Sequence, residues 1–232
     1  MTHHMLVPAL VGLVVGAACA APRTAEFSDA AVPTDAPALS RCPDHAGFDA
    51  EGTVWRYQTP DDWADLVGAR RDTSRTLTEM REQEDGSLLV VLHEATVVTR
   101  PGEPTEMERQ ERHYRCDTAG VWEVYTREEA HDGTWKETVW HRPRPIMDAD
   151  PAAGDHLVGV AQATITESDG REREQDRDYD IEALDLGPTS TPAGTFRGLT
   201  FRWLSGRFYN DRYFAPDVGF VRDSARELAG YE

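Results

Sequence analysis

The sequence predicts a mainly β protein. The expected form is a single curved antiparallel sheet, a half-barrel or open barrel of about ten strands with little helix; a two-sheet sandwich is the alternative. Three observations carry this. Short segments rich in Val, Thr, Ile, Trp, Tyr and Phe recur at near-regular spacing. Turn signals such as Asp169-Gly170 and the EDG and RPGEP stretches separate them. No long segment repeats its apolar residues at the helical period.

The elements follow in order. Residues 53–59 (TVWRYQT) form a short strand stopped by Pro60. Asp61–Val67, behind that proline, is the best helix candidate, with a second stub near the C-terminus. Residues 87–99 are the most apolar run. Residues 105–116 and 121–127 flank DTAG, and 134–141 alternate, with Trp135 and Val139 on one parity and Trp140 on the other. Residues 157–168 and 171–183 flank Asp169-Gly170. Residues 195–204, 207–214 and 219–227 complete the set.

The stretch DGREREQDRDYDIEAL (169–184) poses a sharper question. Glu172, Glu174, Asp176, Asp178, Asp180 and Glu182 fall on one parity; Arg171, Arg173, Gln175, Arg177, Tyr179 and Ile181 fall on the other. With Asp169-Gly170 as a two-residue hairpin turn, Tyr179 faces Val160, Ile181 faces Val158, and Glu172 opposes Glu167. Two like charges opposite each other are tolerable only in water, so the carboxylates read as a solvated face. Neighbours on one face of a strand stand almost 7 Å apart (about 3.3 Å rise per residue), which builds no cage for an ion.

Composition narrows the function classes. The 232 residues carry a formal charge of −18. A nucleic-acid partner needs a concentrated basic footprint, which is not evident, and an anionic membrane surface would repel the folded part. Residues 1–18 read as a signal peptide, with an apolar run too short for a comfortable span. Cys19 after small residues resembles the lipidated cysteine of a bacterial lipoprotein; Ala18-Cys19-Ala20 also has the shape of an ordinary cleavage site, which would give a secreted protein. Residues 19–40, rich in Ala, Pro, Thr and Asp, read as a tether, and 41–232 as one domain. Removing Cys19 leaves Cys42 and Cys116, an even pair suited to an oxidising compartment. Their disulfide would close a loop of about 75 residues.

Chemistry-bearing motifs are scarce. His93-Glu94 begins an HExxH pattern, but Val97 stands in the last place. Asp148, Asp150 and Asp155 lack the glycine and terminal Glu of a calcium loop. Neither a GxSxG elbow nor a glycine-rich phosphate loop occurs. The expectation is therefore no catalytic residue, no metal and no cofactor. The aromatics are more telling: Trp55, Tyr57, Phe201, Trp203 and Tyr213 lie on predicted strands and are the candidates for lining an apolar ligand site.

The C-terminal third carries a resemblance. STPAGTFRGLTFRW, then RFYNDRYFAPDVGFVRDSARELAGYE, resembles a group of bacterial exported proteins and lipoproteins with a "tPaGtf" turn-strand and a "yyApgvGlV" strand pair; Asp217 stands where that group has Gly. The resemblance implies a curved antiparallel sheet similar to the half-barrels of envelope lipoprotein carriers. The functional expectation is a monomeric, non-catalytic envelope lipoprotein that holds an apolar ligand or an envelope component. The alternatives are a module that binds a protein partner through its sheet and a hydrolase with an unrecognised site.

Overall fold

A computed structural model describes Cys42, residues 46–205 and residues 208–232. The expected signal peptide, Cys19 and the tether lie outside the described residues. The chain is mainly β and antiparallel, as expected. The sheet, however, closes on itself as a twelve-strand barrel. Each strand pairs with its neighbour in sequence: β1 (Val54–Gln58), β2 (Arg70–Glu82), β3 (Leu88–Thr99), β4 (Glu106–Asp117), β5 (Gly120–Glu129), β6 (Trp135–Asp148), β7 (His156–Glu167), β8 (Glu172–Thr191), β9 (Gly194–Ser205), β10 (Phe208–Ala215), β11 (Gly219–Arg222) and β12 (Glu227–Tyr231). Closure comes from β1 pairing with β12, Trp55 opposite Tyr231 and Arg56 opposite Gly230. Full closure leaves neither an open half-barrel nor a second sheet, and it removes the free edges such a sheet would expose.

Two strands depart from the expectation. β2 reads RRDTSRTLTEMRE, and its inward row includes Thr73 and Arg75 as well as Leu77, so apolar alternation is absent. The segment expected as one strand over 219–227 is two: it breaks at Asp223, whose carboxylate accepts from the N–H groups of Ala225 and Arg226. The expected C-terminal helical stub is β12. Helix α1 (Asp61–Val67) stands where it was expected. It begins behind Pro60 and ends at Gly68, whose φ of 65° is left-handed.

The β7–β8 hairpin also differs from expectation by one residue. Thr166 pairs with Glu172, Gly159 with Tyr179 and Leu157 with Ile181. The turn holds three residues, with Gly170 at φ 82° and its N–H on the Glu167 carbonyl. Glu172 therefore does not oppose Glu167. The slip changes the face of β7 that points inward: Ala161 and Ala163 are buried, while Val158 is exposed. On β8 the parity stands. Tyr179 and Ile181 are buried, and the carboxylate row faces outward, where Glu174 accepts from Thr164 and Asp176 from Gln162.

One end of the barrel is packed with apolar side chains and plugged. Leu77, Val90, Val121, Met147 and Leu228 are almost fully buried there. The segment around Ala46–Phe48 crosses this floor. Phe48 packs on Tyr114 at 5.6 Å between ring centroids, and a Cβ on Gly47 would meet the Gly219 nitrogen at 2.4 Å, so only glycine fits the crossing. Cys42 and Cys116 lie at disulfide distance, Sγ to Sγ 2.08 Å, fastening this segment to β4. The turn between β10 and β11 contains Asp217 at φ 61°, the one non-glycine with positive φ among the described residues. A left-handed backbone of this kind ordinarily favours Gly or Asn, and here Asp occupies it.

Candidate functional site

Above the floor the barrel encloses a cavity of about 400 Å³. It extends toward the end carrying the β5–β6 and β7–β8 hairpins. There Lys136, Glu128 and Arg173 remain solvent-exposed, so that end is open. The floor of the cavity is apolar and aromatic (Phe48, Tyr114, Met147, Phe214, Phe220). The walls are charged. Arg75, Arg112, Lys136, Arg144, Arg173, Arg177, Arg212 and Arg226 line it, against two lining carboxylates, Glu123 and Glu128. An acidic chain has turned a basic surface inward.

The deep charges form a network. Glu94 on β3, 6% exposed, accepts from Arg75 Nε at 2.6 Å, with Arg226 at 3.7 Å and Arg112 at 3.8 Å. Glu123 on β5, 1% exposed, is held by Arg112 at 2.7 Å and Arg144 at 2.6 Å. Burial is the largest influence on Glu94 and opposes its ionisation. Arg75, Arg112 and Arg226 together outweigh it and hold its pKa at about 2. The same balance, with Arg144 and Arg112, holds Glu123 below the usual carboxylate range. Arg75 and Arg226 also lie over aromatic faces, Arg75 5.4 Å from the Tyr57 centroid and Arg226 4.8 Å from that of Phe220. The desolvation cost of these guanidiniums is thus offset by carboxylates and ring faces that the fold itself supplies.

A second set of arginines is differently placed. Arg212 on β10 stacks 4.4 Å from the Trp203 ring centroid, and Arg144 lies 5.7 Å from the same ring and 5.6 Å from that of Trp140. Burial, then the charges of Arg144 and Arg226, push Arg212 down to about 10, so it is still cationic at neutral pH. Arg177 on β8 is lowered too, by burial and then by Arg144.

The sequence-derived candidates occupy other roles. Trp55 donates to the Val218 carbonyl at 2.8 Å, Tyr57 to the Phe220 carbonyl at 3.0 Å, and Tyr213 to the Phe196 carbonyl at 3.0 Å and the Gly187 carbonyl. Phe201 meets Phe214 edge-on. All five candidates, Trp203 included, are buried in the wall packing, and none of them lines the cavity. Trp203 still bears on the lumen as the ring beneath Arg144 and Arg212. The arginines that do line it were missed, although a signal existed. Arg173 and Arg177 share the parity of Tyr179 and Ile181 on β8, so the apolar pair marks the whole row as inward. Among the described residues no three His, Cys, Asp or Glu side chains gather as metal ligands.

No family model, curated protein or solved structure matches this chain.

Proposed function

We propose that the protein is a non-enzymatic binding protein that holds a small, negatively charged molecule inside its barrel. One observation supports this above all: eight basic side chains line the lumen of a chain whose net charge is −18. The whole protein repels an anion at a distance, so the attraction is local, concentrated by low-dielectric walls. The volume lies within the range of small-molecule sites, about 300–1,000 Å³. Walls of Arg, Lys, Gln and Thr over an aromatic floor suit a hydrophilic or amphiphilic anion better than the wholly apolar ligand anticipated from aromatic content. Lipid on Cys19 and a tether over 19–40 would hold this barrel at a bacterial membrane.

Two experiments test the reading. Calorimetric titration of the intact protein with benzoate, phenyl phosphate, benzyl alcohol and benzylamine keeps the ring and varies the charge. The anions should bind saturably and weaken as salt rises, while the alcohol and amine should bind at least about tenfold more weakly. Anions binding no better than benzylamine would sink the proposal. For the anchor, Cys19→Ala should move the protein from the membrane fraction to the soluble fraction with the barrel still folded.

A further inference from the structure

We infer that the bound molecule presents an oxyanion head group and that this head sits at one corner of the lumen, between Arg212, Arg144 and Arg177. The inference rests on the proposed binding of a small anion and adds where the charge goes and what carries it.

All three guanidiniums line the cavity, from three different strands. Of the three, Arg144 alone has a carboxylate, Glu123 at 2.6 Å, and it shares that carboxylate with Arg112. Neither Arg212 nor Arg177 has an ion pair or a side-chain hydrogen bond among the described residues. Asp223 is the acid whose field favours the charge on Arg212. Its carboxylate already accepts two backbone N–H groups at 2.8 Å and lies 3.7 Å from Arg226. The indole N–H groups of Trp140 and Trp203 and the Nε atoms of Arg144 and Arg212 are buried and find no acceptor. The corner thus holds an excess of donors and positive charge, with the Trp140 indole as a wall and the Trp203 ring beneath; its nearest acceptors are Glu123, already engaged by Arg144 and Arg112, and the buried Asn210 Oδ1. What complements the guanidiniums supplies negative charge and hydrogen-bond acceptors. Phosphate, sulfate and carboxylate groups have that chemistry, and the planar guanidinium fork matches their oxygens in pairs. Glu94 and Glu123 already play this part for Arg75, Arg112, Arg226 and Arg144, so the ligand is drawn to the cations without a carboxylate, Arg212 and Arg177.

The test uses the intact protein with inorganic phosphate, phenyl phosphate and benzoate as probes, read by calorimetry and by tryptophan fluorescence. Arg212→Gln should weaken phenyl phosphate by about tenfold or more, as expected for losing a charge-assisted contact. Arg177→Gln should weaken it several-fold and, lying at the exposed side of the corner, reads the same site if Arg212→Gln does not fold. Arg71→Gln, outside the cavity and paired with Glu108 at 3.1 Å, should change affinity by less than about twofold, because it does not reach the lumen and its charge is already met. Arg212→Lys should restore only part of the affinity, since a point charge lacks the fork. Phosphate binding more tightly than benzoate, or the reverse, supports the oxyanion seat and identifies the charge it prefers. Wild type that binds phenyl phosphate while both glutamine variants bind it equally well overturns this inference and leaves the proposed function standing. Wild type that binds none of the three overturns both.

Discussion

Arg75, Arg112 and Arg226 surround Glu94 and Glu123 inside the barrel, whereas Arg177 and Arg212 line the same lumen with no carboxylate at ion-pair distance among the described residues. The two sets share residue type, barrel and neighbourhood, yet they differ in what meets their charge. In the first set the fold supplies the counter-ion, so the charges are part of the architecture and removing a partner should be costly. In the second the fold supplies ring faces and neighbouring cations but no ion pair, so the charge is less fully offset. Substitutions in the two sets should therefore shift stability in opposite directions.

Glu123→Gln is the strongest way to break this contrast. It removes one carboxylate shared by two buried guanidiniums, and urea unfolding should show a loss of about 3–5 kcal/mol. A loss below about 1 kcal/mol would mean that the network is not holding the barrel together. Acid probes the same set through Glu94. Its folded pKa of about 2 lies below its ordinary value. The stability it contributes is therefore fully present above pH of about 4.5 and is lost as pH falls toward 2, on the order of 3 kcal/mol in total. Unfolding free energies of wild type and Glu94→Gln, measured from pH 6 to 2, should converge over that window; curves that stay parallel would refute the assignment.

Arg212→Gln sharpens the contrast from the other side. It removes a cation flanked by Arg144 and Arg226, so unfolding without ligand should change by less than about 1 kcal/mol, and toward greater stability. A loss comparable to that of Glu123→Gln would place Arg212 in the architecture instead. The smallest effect is expected on the outer face of β8. Replacing Glu174, Asp176 and Asp178 with Gln or Asn should alter stability by about 0.5 kcal/mol or less, because these side chains are exposed. A saturable calcium heat in wild type, abolished by the triple substitution, would show a site on that outer face.

The parity of β8 was legible because six carboxylates on one side of a strand can only face water, and its other row followed. α1 was legible because Pro60 ends β1 and presets the backbone for the segment behind it; the left-handed Gly68 that ends the helix was not used as a signal. β2 was not, since the residues it sends inward include Arg75, and an arginine reads as exposed until its carboxylate partner is known. The β7–β8 register was misread by one residue because Asp169-Gly170 fits a two-residue turn and a three-residue turn equally well; pairing along both strands chose between them. The candidate aromatics were found as strand residues, but their side chains are used in wall packing and in hydrogen bonds to distant carbonyls.

By itself the sequence determined a mainly β, antiparallel chain with little helix, a pairable Cys42 and Cys116, and an acidic outer row on β8, because alternation, turn residues and residue counts act over short distances. Closure of the ring and the charge of the lumen were decided only in three dimensions. β1 meets β12 across nearly the whole described chain, through a few backbone pairs that leave no local signature. The lumen is basic because arginines from β2, β4, β6, β8 and β10, far apart in sequence, point into one small volume; an overall charge of −18 gives no hint of that inversion.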